Sequence, residues 1–248
     1  MSLSDDELER YQRHIVLPQL GGVGQRRLKA ASIAVVGAGG IGSAVIPGLA
    51  GAGIGKLTII DCDHVELANL HRQPLFGEAD AGQLKALLAA EFVKRLNHFV
   101  EVDPKIERID VDNAAQLLAG HDLVIDGSDN FATRLAVSDS LVAFGIPVIS
   151  AAAIQFQGQV GLFARQPCYR CFVGDAFDAD DCDNCAELGV LGALTATIGS
   201  FAALLAINRI AGIGEDQSGQ LHLFDGERLS WRTIRIPADP RCRKCSSI

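Results

Sequence analysis

The chain has 248 residues, enough to bury a full α/β core, and its 48% hydrophobic and 21% charged fractions are those of an ordinary soluble globule. A net charge of -8 speaks against a nucleic-acid partner, whose phosphates call for a surplus of Lys and Arg over the contact face. The acidic, polar start "MSLSDDELER" has neither the basic opening nor the apolar run of a signal peptide. A cytoplasmic location is therefore expected, and the seven cysteines read as metal ligands or reactive thiols rather than disulfides.

Ser4 followed by Asp5, Asp6 and Glu7 predicts a helix start, and "GQRRLKAA" a second short helix. Strands and helices then alternate. "SIAVVG" and "KLTIID" are apolar strands flanking the helix "SAVIPGLAGAG", which reads as helical despite its proline. "AGQLKALLAAEFVKRLN" is an amphipathic helix, "VEVDPKIERI" a strand region and "DLVIDGSDN" a buried strand. "FATRLAVSDSLVAFG" and "PVISAAAI" add a further helix and strand. This alternation predicts a Rossmann-like α/β fold, with a mostly parallel sheet covered on both faces. Beyond Gln155 the pattern becomes "GQVGLFA", "QLHLF" and "LSWRTIRI", and the D-G of "DGER" predicts a reverse turn, so this end reads as antiparallel. From Gly189 to Asn208 no residue is charged, a length that can span a bilayer. Gly, Ala, Thr and Ser fill much of it, so it reads as a buried helix of the domain or of a subunit interface, with no membrane partner.

"GAGGIG", Gly37 to Gly42, follows a strand, opens a helix and has Asp61 at the end of the next strand. In that context Gly37 permits the tight turn, Gly39 and Gly40 let phosphate approach the backbone, and Gly42 lets helix and strand pack closely. Asp61 is placed for ribose hydroxyls. The fingerprint alone does not separate NAD from ATP. Asn69, Arg72 and Gln73 in "ANLHRQ" fall beyond the second strand, Lys85 in the first turn of the next helix, and Asp129 and Asn130 in "DGSDN" after the fourth strand. A cation in a helix's first turn opposes the helix dipole, so a nearby anion would explain Lys85. Cations and a carboxylate at successive strand ends suit a triphosphate, with Asp129 as a hard-oxygen ligand for Mg²⁺. An NAD(P)-dependent oxidoreductase with a structural zinc is the alternative. A non-catalytic, zinc-stabilised interaction module is a third reading.

Cysteines form three C-x-x-C pairs: Cys168/Cys171, Cys182/Cys185 and Cys242/Cys245. Two pairs can hold one zinc, and spacing alone leaves open whether Cys168 and Cys171 join the middle pair or the terminal one.

Taken together, "GAGGIG", "NLHRQ", "GQLK", "DGSDN" and the paired C-x-x-C motifs resemble the ThiF/MoeB family, bacterial relatives of ubiquitin-activating enzymes, from "RYQRHI" to "CRKC". The resemblance implies one adenylation domain over residues 1–248: N-terminal helices to 30, a nucleotide-binding core at 31–154, and a carrier-binding and zinc region at 155–248 with a crossover loop near 172–190. It implies a homodimer that uses ATP and Mg²⁺ to adenylate the C-terminal glycine of a ubiquitin-like sulfur carrier ending in Gly-Gly. A sulfurtransferase or cysteine desulfurase would be the sulfur donor, in thiamine or molybdopterin biosynthesis. By the same resemblance Asp61 binds ribose, Asn69, Arg72 and Lys85 serve phosphates, and Asp129 holds Mg²⁺ with Asn130 beside it. Arg13 reaches the neighbouring subunit's site. "CYRC" and "CRKC" match the family's zinc pairs, giving Zn²⁺ on Cys168, Cys171, Cys242 and Cys245. "CAELGV" matches the crossover loop and leaves Cys185 as the free thiol, which in thiamine-pathway members bonds to the carrier. "LFDGERLSWR" and that cysteine lean toward the thiamine branch. The chain ends "CSSI", where the family often has glycine after the last zinc cysteine. With no rhodanese-like domain after it and no terminal Gly-Gly, the expectation is an activator that carries neither a persulfide nor the carrier's tail.

Overall fold

A computed structural model describes residues 2–174 and 189–246. Ser4 caps α1 (Asp5–Arg10) through a capping box: its hydroxyl accepts from the Glu7 N–H, and the Glu7 carboxylate accepts from the Ser4 N–H at 2.8 Å. A short α2 (Gln12–Ile15) and α3 (Gly21–Ala30) lead to the first strand. Tyr11 packs so closely on the left-handed Gly53 that a Cβ there would meet its ring, and its hydroxyl accepts from Asn97 Nδ2 at 2.8 Å. Gln25 donates to the Ala52 carbonyl at 2.8 Å. The N-terminal helices are thus pinned to the far end of α4 (Gly42–Ala52), beside the amino edge of the sheet.

Eight strands form one sheet in the order β3 (Glu101–Lys105), β2 (Lys56–Ile60), β1 (Ser32–Val36), β4 (Leu123–Asp126), β5 (Val148–Ile154), β6 (Gln157–Phe163), β7 (Gln220–Asp225), β8 (Ser230–Arg235). β3 to β5 are parallel, and β1, β2 and β4 are apolar runs buried along nearly their whole length, as strands covered on both faces must be. The remaining pairings are antiparallel, as the change of pattern after Gln155 predicts. Asp225 closes the β7–β8 hairpin by accepting from the N–H groups of Glu227 and Arg228, both at 3.0 Å.

The fourth predicted helix starts late. α5 runs Lys85–Leu96, because Gly82 takes φ +81° and residues 82–85 pair with 63–65 before the helix begins. α6 (Ala114–Leu118) and α8 (Tyr169–Val173) carry no strong sequence signal; α7 spans Phe131–Phe144. The uncharged stretch becomes α9 (Gly192–Ala211), whose 20 residues and mean hydropathy of 1.4 meet the length and composition of a membrane span. It instead packs on α4 and across β5 and β6 as a core helix, with Leu194, Ile198, Ala202 and Ala206 buried. A Cβ on Gly199 would collide with the Ile41 carbonyl, so a small residue there is what brings α9 against the start of α4.

Candidate functional site

Strand order reverses between β1 and β4, and the glycine turn lies at that switch point, where open α/β sheets bind ligands. Gly37 donates to the Ile60 carbonyl at 2.9 Å and Gly127 to the Val36 carbonyl at 2.9 Å, so the ends of β1, β2 and β4 are stitched into one edge. Gly37 has φ +88°, and a Cβ on Gly42 would overlap its carbonyl oxygen; the turn therefore requires glycine at both places. Gly40 rests against Thr195, and Gly192 against the His71 carbonyl. The start of α9 is thereby the outer wall of the turn, a role for Gly192 and Thr195 that only the small residues of an otherwise apolar helix could have signalled.

Asp61 is buried, with Oδ2 accepting from the Ala38 N–H at 2.7 Å and Oδ1 from the Asp63 N–H at 2.8 Å. Burial pushes its carboxyl above the usual range, and the two N–H donors and Lys85 pull part of the way back. A carboxylate has about four lone-pair sites, so two remain for ribose hydroxyls. Lys85 is the first residue of α5, buried, with Nζ 3.2 Å from Asp63 Oδ2. The sequence reading passed over Asp63, although the "DCD" spacing was visible. Arg108, after β3, was also missed. It is exposed, and its pKa is raised first by the Cys62 thiol it contacts and further by Asp63 and Asp129.

Along the same edge, Asn69 donates to Glu66 at 3.0 Å and the Arg72 guanidinium sits 2.9 Å from His71 Nε2. Gln73 is buried with its side-chain oxygen unpartnered and its amide nitrogen beside Gly39. Asp129 is exposed, while Asn130 caps α7 by accepting from the Thr133 N–H at 2.9 Å. The turn that carries Asp129 is rigid. Asp126 accepts from the Ser128 N–H and hydroxyl at 2.9 and 2.6 Å, and the buried Arg134 donates to the carbonyls of Ser128 and Ala151 and to the Ser150 hydroxyl.

Arg13 does not join this set within one chain. It is exposed on α2, at the α4 terminus remote from the glycine turn, and α4 is about 16 Å long. Cys185 and Cys182 lie outside the described residues. A half-open pocket of about 220 Å³ between α9 and β7, lined by Phe201, Leu205, Arg209 and His222, contains none of the predicted site residues.

Cys168, Cys171, Cys242 and Cys245 come together, their sulfurs all within 4.8 Å and separated by 4.0 Å (168–171), 3.6 Å (168–242) and 3.4 Å (171–245). A tetrahedron of thiolates around zinc, with Zn–S near 2.3 Å, has S···S edges of about 3.8 Å. The cluster fits. Burial and the neighbouring thiols push Cys168 up strongly and Cys245 to about 11, while at Cys242 burial is outweighed by the N–H groups and thiols bonded to it, which pull it down. Full ionisation of the set is therefore favoured by a cation among the sulfurs. Between the first two ligands, Arg170 grips Asp139 of α7 through Nε–Oδ1 at 2.7 Å and Nη2–Oδ2 at 2.8 Å, with Lys244 at 3.5 Å from the same carboxylate.

Comparison with known proteins is consistent along nearly the whole chain. It is 41% identical to the sulfur carrier protein adenylyltransferase of Thermus thermophilus, over 99% of this chain and 93% of that one. It is 39% identical to the SAMP-activating enzyme E1 of Haloferax volcanii, over 99% and 91%. The adenylyltransferase and sulfurtransferase MOCS3 of Bos taurus is 44% identical over 98% of this chain, which spans only 54% of that longer protein. Among solved structures, E. coli MccB with ATP superposes with a TM-score of 0.83 at 23% identity, covering 96% of this chain and 74% of that one, a likeness of fold. The ThiF family profile matches residues 11–244, and with these full-length relatives it establishes that the chain belongs to the ThiF family.

Proposed function

We propose that the protein is an ATP-dependent adenylyltransferase that activates the C-terminal glycine carboxylate of a ubiquitin-like sulfur carrier. The observation that carries this reading is the edge itself: a glycine turn at the switch point, a buried ribose-type carboxylate, and Asn69, Arg72, Lys85 and Asp129 on successive connections around it. Relatives that share about two-fifths of the sequence and are named for carrier adenylation support it. In the reaction the carrier's carboxylate attacks the α-phosphorus of ATP, the bond to the bridging oxygen breaks, and pyrophosphate leaves with that oxygen. No protein nucleophile is needed. Asp61 would orient the ribose, the free N–H groups of the turn would take phosphate oxygens, and Arg72 and Lys85 would offset the charge that builds on the leaving group. Asp129 would hold Mg²⁺, which when bound supplies charge neutralisation at the triphosphate. Cys168, Cys171, Cys242 and Cys245 would hold Zn²⁺ as a closed, structural site.

The active form is a homodimer in this reading. Arg13 projects from the end of the molecule remote from its own turn, which suits an arginine acting on a neighbouring subunit. The solvent face of α9, through Ala193, Thr197, Ser200 and Leu204, is exposed yet uncharged. A cytoplasmic setting, a sulfurtransferase or cysteine desulfurase as donor, and Cys185 as the thiol that meets the activated carrier complete the proposal. Exchange of labelled pyrophosphate into ATP tests it. Exchange is expected with a carrier ending in Gly-Gly and is lost when its final glycine is removed. Carriers of the thiamine and molybdopterin pathways, run side by side, separate the two branches, and no exchange with either overturns the reading.

A further inference from the structure

Residues 63–65 and 82–85 are stitched together by three backbone hydrogen bonds and an antiparallel bridge. Val65 donates to the Gln83 carbonyl at 2.8 Å, Gly82 to the Val65 carbonyl at 2.9 Å, and the Lys85 N–H to the Asp63 carbonyl at 3.0 Å, with His64 and Leu84 forming a bridge. The Asp63 N–H is spent on Asp61 Oδ1. Asp63 is therefore fixed by its own backbone to both the ribose-type carboxylate and the first residue of α5, while its side chain accepts from the Cys62 thiol through Oδ1 at 3.8 Å and from Lys85 through Oδ2. That bond, 3.2 Å long, joins groups of unequal burial: the Lys85 side chain is 6% exposed, the Asp63 side chain 57%. An ion pair on an open surface is worth little. Here the ammonium is enclosed and sits in the first turn of a helix, where the dipole opposes it, so its direction depends on the one carboxylate bonded to it. A second cation, Arg108, bonds the neighbouring Cys62 thiol and is close enough to feel the charges of Asp63 and Asp129.

We propose that Asp63 is a positioning residue for the adenylation step. It holds the Lys85 ammonium at the mouth of the glycine turn, and it turns toward Arg108 when Lys85 engages the nucleotide phosphates. The inference rests on the adenylation reading and adds to it a residue that touches neither nucleotide nor carrier. Because the Asp63 backbone bonds survive substitution, Asp63→Asn removes only the charge that aims Lys85. Pre-aimed donors act mainly in the transition state, so in pyrophosphate exchange kcat is expected to fall roughly 10–100-fold while KM for ATP stays within about twofold. Asp63→Glu should restore part of the loss. In a Lys85→Ala background, Asp63→Asn should have no further effect, since the cation it serves is gone. The inference is overturned by Asp63→Asn turning over at the wild-type rate. It is equally overturned by the variant losing the same factor with and without Lys85, which would give Asp63 an independent role. Wild-type exchange measured alongside separates the levels: exchange by wild type with an unaffected Asp63→Asn sinks the positioning role alone, whereas no exchange by wild type with any Gly-Gly carrier sinks adenylation and the positioning role together.

Discussion

The glycine turn and the cysteine cluster lie at opposite ends of α7 and are built by opposite means. At the helix start, Asn130 caps the chain beside a turn assembled almost entirely from backbone N–H and C=O groups. At its end, Val142 packs on Cys168, Cys242 and Cys245, a cluster made of side chains that belong to two distant segments. The turn's backbone bonds close within the chain, so replacement of Arg72 or Asp129 is expected to leave it folded. The cluster has four crowded sulfurs as its core and would depend on the metal proposed for it. On the proposed reading the first region serves chemistry and the second stability, with α7 and the Arg170–Asp139 pair connecting them.

The sharpest way to break that division is to substitute the charged residues at the turn. Arg72→Ala and Asp129→Ala should each lower pyrophosphate exchange by on the order of 10³-fold, with the thermal midpoint unmoved. A fall in midpoint alongside the lost activity would make the turn's charges structural after all. Next in size is removal of the metal or of a ligand. Chelation, or Cys242→Ser, should cost several kcal/mol and lower the unfolding midpoint by roughly 10 °C in a chain of this length. Calorimetry below the transition should find ATP affinity within about threefold of the untreated protein. Smaller is the effect of cutting the connection. Asp139→Ala leaves the buried Arg170 without its bidentate partner and should cost about 3 kcal/mol in urea unfolding, less if Lys244 and Arg170 find other acceptors.

The smallest effect lies outside both regions and calibrates them. Burial pushes the Glu7 carboxyl up, but the Lys29 ammonium at 2.6 Å and the backbone and hydroxyl of Ser4 hold it below its ordinary value of 4.5. Because the folded value is the lower one, the carboxylate's contribution is fully present above pH 4.5 and is lost as the pH falls through the folded value. Glu7→Gln should therefore narrow the gap from wild type as acid is added, a trend read by following the denaturation midpoint from neutral pH downward.

Most of the fold was legible because its signals are local. Apolar runs ended by glycines gave β1, β2 and β4, and the same glycines marked the switch-point turn. What escaped were features set by distant contact. Lys85 was noticed as a cation in an unfavourable place, yet its partner Asp63 stands 22 positions earlier and is brought over by loop pairing that no periodicity announces. Gly192 and Thr195 reads as ordinary helix composition until α9 is laid against the turn. Arg13 was read by resemblance as serving a neighbouring subunit's site, and the packing of Tyr11 on Gly53 that sets α2 at the far end of α4 has no local signal of its own. The cysteine pairs posed the same difficulty, since spacing cannot decide between a near and a far partner when the chain returns through two strands and a long helix.

That return has a consequence for biosynthesis. Cys168 and Cys242 are 74 positions apart, so at ribosomal speeds Cys168 and Cys171 emerge roughly 4–15 s before Cys242 and Cys245. During that interval a nascent chain offers Cys168 and Cys171 without the two partners that complete the described cluster, with only Cys182 and Cys185 nearby in sequence as competing thiols. Loading at the cluster must therefore wait until the terminal pair has left the exit tunnel, while β1 to β5 and the turn they support are already free to form. If the cluster takes zinc as proposed, a shortage of the metal would be felt only after β1 to β8 and α9 have been made.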